Sequence, residues 1–144
     1  MPRFILLSVI CCLLTACSSS SERGPLWQPD TYSLEMVSSG VQTEKASMEV
    51  GDYLVLKVRD PINDGFTLAK PEFDETRLAL ESFRYIPPAE KAVFGAFGRY
   101  VYSFTALKAG KTTIFMYKYN PLKDPKDEVE SILYKQADVT VTAP

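Results

Sequence analysis

From Thr31 onward the chain alternates apolar and polar residues over short stretches, a period of two that marks strands half-buried in a sheet. Tyr32, Leu34 and Met36 alternate before Ser38-Ser39-Gly40, a cluster of turn formers. Gly51-Asp52 marks a second turn. A strand from Tyr53 to Arg59 follows, with Leu54, Leu56 and Val58 on one face and Lys57 and Arg59 on the other. Leu78 to Ile86 sets Leu78, Leu80 and Ser82 against Ala79, Glu81 and Phe83, and Pro87-Pro88 ends the run because proline has no N–H for a ladder. Val101 to Leu107 puts Tyr102, Phe104 and Ala106 on one face. Lys108-Ala109-Gly110 then turns the chain into Thr112 to Tyr119, which is apolar on both faces and is expected at the centre of a sheet. The last run alternates Ala137, Val139 and Val141 against Asp138, Thr140 and Thr142. No segment of the domain carries a helical period with end caps. Roughly six to eight strands at this spacing predict an all-β fold, an immunoglobulin-like antiparallel β-sandwich.

The N-terminus follows a different rule. A basic start, Met1-Pro2-Arg3, precedes an apolar run from Phe4 to Leu14, the layout of a secretory signal peptide. The run is too short to span a bilayer, which takes about 20 apolar residues. Leu14-Thr15-Ala16-Cys17 resembles a bacterial lipobox. That resemblance implies diacylation of the Cys17 thiol, cleavage between Ala16 and Cys17, and a membrane anchor, since two or more acyl chains hold firmly where one does not. The alternative is an ordinary signal peptide with a chance cysteine. Ser18 rather than Asp at the second mature position favours, for a Gram-negative source, the outer membrane, with the protein facing the periplasm. Residues 17–30, CSSSSERGPLWQPD, read as a flexible tether, with Trp27 expected to dock back onto the domain. The chain thus divides into a signal peptide (1–16), a lipid-anchored tether (17–30) and a β-sandwich domain (31–144).

Composition removes whole classes of chemistry. There is no histidine, which excludes Ser-His-Asp and Cys-His catalysis and the usual zinc sites. Cys11 and Cys12 leave with the signal peptide and Cys17 is taken by lipid, so no thiol remains for a disulfide, a nucleophile or a metal. Carboxylates alone do not define a site by spacing, and most are solvated surface. The expectation is a protein that is not an enzyme and carries no cofactor or metal. With Arg3 gone, 15 basic residues face 18 acidic ones, a net charge of −3 with no basic block, so neither nucleic acid nor an anionic membrane surface is indicated as a partner.

Three connections between the strands stand out. The first is Asp60-Pro61-Ile62-Asn63-Asp64-Gly65-Phe66, where Pro fixes φ and Gly supplies a conformation that other residues resist. The second is Phe94-Gly95-Ala96-Phe97-Gly98, whose glycines allow close backbone approach. The third is Tyr119-Asn120-Pro121-Leu122, running into a charged stretch from Lys123 to Glu130. Any one of them alone reads as plain turn chemistry.

Together these segments resemble the chagasin-like inhibitors of papain-family cysteine proteases, over about Val50 to Val141. Val50-Gly51-Asp52 is similar to that family's turn into its second main strand, and Tyr85-Ile86-Pro87-Pro88 to its aromatic-Pro-Pro stretch. Asn63-Asp64-Gly65-Phe66 stands at the end of its Asn-Pro-Thr-Thr-Gly-Phe loop. Gly95-Ala96-Phe97-Gly98 stands at its glycine-rich loop, with Lys108-Ala109-Gly110 as the turn after it, and Asn120-Pro121-Leu122 stands at its Arg-Pro-Trp position. This chain has Asp64 for the second Thr, Phe97 for a glycine, Asn120 for Arg and Leu122 for Trp. The resemblance implies an immunoglobulin-like sandwich whose loops 60–66, 94–99 and 119–124 enter a papain-like protease cleft as a wedge. The protease-facing residues would be Pro61, Asn63, Asp64, Gly65, Phe66, Gly95, Phe97, Gly98, Asn120, Pro121 and Leu122. The reading kept beside it is a non-inhibitory envelope lipoprotein that uses the same loops to bind another envelope protein.

Overall fold

The computed structural model of the protein describes residues 28–89, 95–123 and 130–144. Eight strands run in chain order: β1 (Thr31–Met36), β2 (Gln42–Glu49), β3 (Tyr53–Arg59), β4 (Thr67–Leu68), β5 (Leu78–Ile86), β6 (Arg99–Ala106), β7 (Gly110–Tyr119) and β8 (Ile132–Thr142). They form two four-stranded sheets, ordered β1-β3-β6-β5 and β2-β8-β7-β4. The fold is the expected all-β sandwich. Its antiparallel pairs are β3–β6, β5–β6, β7–β8 and β4–β7, whereas β1 pairs with β3 and β2 with β8 in parallel. The chain therefore crosses from one sheet to the other between β1 and β2, and again between β2 and β3, rather than turning back as a hairpin.

The core lies between the sheets, and the alternation along each strand supplies it. Leu54, Leu56 and Val58 of β3, Tyr102, Phe104 and Ala106 of β6, and Ala137, Val139 and Val141 of β8 are all buried, as the period of two predicts. Fully burying one such side chain contributes about 1.5–3 kcal/mol. Phe73, from the connection between β4 and β5, packs edge-on against Phe104 with ring centroids 5.1 Å apart. Among the described residues the core runs from Met36 to Val141, so a form starting at Ser18 keeps all of it.

The pairing corrects one strand reading, bears out a second and adds a strand that the alternation did not show. In β5 a bulge between Leu80 and Ser82 shifts the register at Glu81. One extra residue reverses the alternation, so Phe83 comes to the same face as Leu78 and Leu80 rather than opposite them. Its ring meets Tyr102 at 5.1 Å and stacks on Tyr100 at 5.7 Å. Because β5 is an edge strand and β4 opposite is only two residues long, this corner stays open. It is a groove of about 270 Å³ lined by Leu68, Pro71, Leu80, Phe83, Tyr100 and Tyr102. Second, β7 is an inner strand of its sheet, as its apolar faces suggest, with β8 on one side and β4 and Glu72 on the other. Third, β2, whose sequence QTEKASME carries few apolar residues, is a full strand held by its parallel ladder to β8.

The end of the sandwich where the chain enters is pinned by Asp52. Its buried carboxylate accepts the Asp30 N–H at 2.9 Å and the Glu49 N–H at 2.7 Å, joining the start of β1 to the β2–β3 turn. Gly51, with φ +96°, makes that turn. Cys17, the signal segment and Trp27 lie outside the described residues, so the anchor and the docking of Trp27 are expectations from the sequence alone.

Candidate functional site

Strand register brings the three loops to one end of the molecule, opposite the Asp52 turn. Loop 60–66 leaves β3 at Arg59, which pairs with Arg99, the first residue of β6. Loop 94–99 enters at that same Arg99, whose other neighbour is Ile86 at the end of β5. Loop 119–124 leaves β7 at Tyr119, which pairs with Thr67 immediately after the first loop. Phe94 and Asp124 lie outside the described residues.

The first loop is built as a short 3-10 turn, Pro61–Asp64. The buried Asp60 caps it, its carboxylate accepting the Ile62 N–H at 3.0 Å. Pro61 sits at the first helical position, where its fixed φ suits the turn and no N–H is missed. Gly65 ends it in the left-handed region at φ +81°, a conformation that glycine adopts without strain, and its N–H returns to the Ile62 carbonyl at 3.0 Å. Capped at both ends, the turn holds Ile62 outward with 62% of its surface exposed. Phe66 closes the loop beneath Lys118 of β7, whose ammonium lies 4.2 Å from the ring centre.

The second loop is tied directly to the first. The Asp60 N–H donates to the Gly98 carbonyl at 2.9 Å, and the Asn63 amide donates to the Ala96 carbonyl at 2.7 Å. Gly95 takes φ +85°. Gly98 is buried, and a Cβ there would run into the outer end of the Tyr85 ring. A side chain there would therefore have to displace the Tyr85 ring. Desolvation, together with the nearby Asp60 carboxylate, pushes the Tyr85 hydroxyl pKa up, so it stays protonated at any physiological pH. Phe97 turns its ring towards two guanidiniums, with Arg59 at 4.7 Å and Arg99 at 5.8 Å from its centre.

The third loop is a looser turn. The Asn120 side-chain oxygen accepts the Leu122 N–H at 2.9 Å, an Asx turn that leaves Leu122 91% exposed. Pro121 stands between them, and Lys123 reaches Glu130 at 4.0 Å.

Under the loops lies a cluster of charge. Arg59 meets Asp64 at 3.8 Å. Lys118 lies 5.0 Å and Lys135 4.2 Å from the Tyr134 ring centre. Lys135 is fully buried and donates to the carbonyls of Ser38 and Gly40 at 2.6 and 2.7 Å. Desolvation, with Arg59 and Lys118 nearby, pushes its pKa down to about 8, and Asp64 opposes that shift. Among the described residues no cluster of His, Cys, Asp and Glu is placed to hold a metal, and no helix is long and apolar enough to cross a membrane.

All eleven loop residues named from the sequence therefore fall at one end, though they do different work. Pro61, Asn63, Gly65, Phe66, Gly95 and Gly98 build the loops and tie them together. Asn120, Pro121 and Leu122 form the separate third turn. Asp64 and Phe97 both meet Arg59. Sequence reasoning missed Asp60, Tyr85 and Ile62. Asp before Pro is a capping signal that could have identified the first; nothing local marks the other two.

Residues 47–135 match the family model described as chagasin family peptidase inhibitor I42, and the chain belongs to that family. Its members are peptidase inhibitors, not enzymes. No curated protein sequence matches. Two solved structures share the fold. One is the cysteine protease inhibitor EhICP2 from Entamoeba histolytica, 15% identical over 80% of this chain and 100% of that one, with a TM-score of 0.55. The other is amebosin in solution, 14% identical over the same shares, with a TM-score of 0.51.

Proposed function

We propose that the protein is a lipid-anchored envelope inhibitor that blocks papain-like cysteine proteases with the three-loop end of its sandwich. The observation that carries this reading is the linked pair of loops: a doubly capped turn hydrogen-bonded to a glycine-rich loop, with a third turn alongside. Loops ordered before binding lose little entropy on docking, which is what a wedge into a cleft requires. EhICP2 is named as a cysteine protease inhibitor, and that target class is carried to this chain here. Ile62 and Leu122 supply exposed apolar area on the first and third loops.

The anchor fits the same picture. β1 begins at Thr31 beside Tyr53, while the loops begin beyond Arg59 at the far end of β3. At about 3.3 Å per residue the strand separates them by roughly 20 Å. A tether running from Cys17 to Thr31 would thus hold the protein by the end away from its loops. A second reading, binding of another envelope protein without inhibition, is favoured by the third loop, which offers Asn120 and Leu122 where the family pattern has Arg and Trp.

Two experiments test this. The form starting at Ser18, titrated against papain and a cathepsin L-type protease, is expected to inhibit reversibly at or below micromolar concentration; no inhibition of either protease leaves the binding-only reading. In cells, labelled palmitate is expected to mark the wild type and not Cys17→Ser, because serine lacks the thiol that takes the diacylglycerol. Label surviving in Cys17→Ser removes the anchor assignment.

A further inference from the structure

Asp64 and Phe97 are two of the positions at which this chain leaves the family's loop pattern, and they sit on different loops. One side chain touches both. Arg59, the last residue of β3, lies mostly beneath the loops, with 16% of its side chain exposed. Its guanidinium is 3.8 Å from the Asp64 carboxylate and 4.7 Å from the centre of the Phe97 ring. Its Nε is buried with no hydrogen-bond partner among the described residues, so the head is held by charge and stacking rather than by a full set of hydrogen bonds.

The cross-strand neighbour sharpens the point. Arg59 pairs directly with Arg99, and like charges so placed repel. Phe97 offers its ring to both guanidiniums, and the negative face of an aromatic ring attracts cations. Asp64 supplies the opposite charge. A planar guanidinium can stack and pair with a carboxylate at once; an ammonium is a point charge and cannot do both.

We propose that Arg59 is a positioning residue for inhibition: it ties Asp64 of the first loop to Phe97 of the second and fixes the spacing between them. In this chain the two substitutions are coupled, and the partly exposed Asp64 carboxylate is paired with Arg59. Arg59 need not touch the protease. It acts by keeping the loops ordered before docking, which lowers the ordering cost at binding. The inference rests on the proposed inhibitor reading for its effect on affinity, but not for its effect on loop order.

The test uses the form starting at Ser18 with Arg59→Lys and Arg59→Met. Both are expected to raise the papain inhibition constant about tenfold while leaving thermal unfolding nearly unchanged, since a pair of this kind contributes little to global stability. Amide exchange separates positioning from contact. The Asp60 amide, which donates to the Gly98 carbonyl, should exchange several-fold faster in both variants, and the Leu56 amide should not change. On a Phe97→Leu background Arg59→Lys should add little. Weaker inhibition with unchanged Asp60 exchange would mean direct contact with the protease and overturn the positioning role, as would wild-type behaviour of Arg59→Lys in both measurements. If the wild type does not inhibit, the inhibitor reading fails, while exchange at Asp60 still decides whether Arg59 orders the loops.

Discussion

Asp60→Ala is expected to weaken inhibition of a papain-like protease about 30-fold while the sandwich stays folded. The Asp60 carboxylate accepts the Ile62 N–H that starts the 3-10 turn, and the Asp60 N–H donates to the Gly98 carbonyl of the second loop. Losing an N-cap costs about 0.5–2 kcal/mol, and the burial of Asp60 puts its loss at the upper end. Neither group belongs to the core between the sheets, so the roughly 2 kcal/mol falls on loop order rather than on global unfolding. At about 1.4 kcal/mol per tenfold this is the 30-fold stated. Asp60→Asn keeps an acceptor oxygen and should retain most of the inhibition. The measurement is the inhibition constant of each variant against papain, with thermal unfolding followed by circular dichroism as the control. Full inhibition by Asp60→Ala would show that the first loop does not need its turn to bind.

Asp before Pro could have marked Asp60 as a cap, but its tie to Gly98 of the second loop is not local and could not be read from the sequence. Alternation within β1, β3, β6 and the second half of β8 is a local signal, because each side chain's face is set by its own position in the strand. Leu54, Leu56, Val58, Ala137, Val139 and Val141 were legible on that basis. The bulge at Glu81 is not local, since it exists only relative to β6, and it placed Phe83 on the face opposite to the one its parity implied. β2 is invisible for a similar reason. Its Glu, Lys and Ser residues are tolerated because it lies at a sheet edge, and its register comes from β8.

The loops show the same division. Pro61, Gly65 and Gly95 announce turns through their own backbone chemistry. Gly98 announced itself too, but for a reason the sequence could not give: the Tyr85 ring lies against it, thirteen residues earlier in the chain. Arg59 read simply as the polar face of β3. Only the crossing of two loops over the end of that strand makes it a shared partner for Asp64 and Phe97.

Lys135 has the largest expected effect on stability. It stands at the inward parity of Ala137, Val139 and Val141, a lysine where β8 otherwise buries apolar residues. Lys135→Ala removes a long buried stem and the two hydrogen bonds that hold the Ser38 and Gly40 carbonyls. A loss of about 3 kcal/mol is expected, in the range for large-to-small changes in a core. Lys135→Met keeps much of the volume and should cost less.

The charge of Lys135 gives a second readout. Burial lowers its pKa from the ordinary 10.5 to about 8, so below pH 8 it is protonated in both the folded and the unfolded chain and contributes no slope. Between pH 8 and 10 the folded protein has released a proton that the unfolded chain still binds, and stability therefore rises with pH. The rise should be on the order of 1 kcal/mol. Above about pH 10 four tyrosines act the other way. The hydroxyls of Tyr85, Tyr100, Tyr102 and Tyr134 are held protonated by desolvation while the unfolded chain ionises, so stability falls again. Urea unfolding at pH 7.5, 8.5 and 9.5 should show the midpoint climbing for the wild type and staying flat for Lys135→Met. A wild-type midpoint that does not move across this window would mean that the two carbonyls keep the ammonium charged inside the fold.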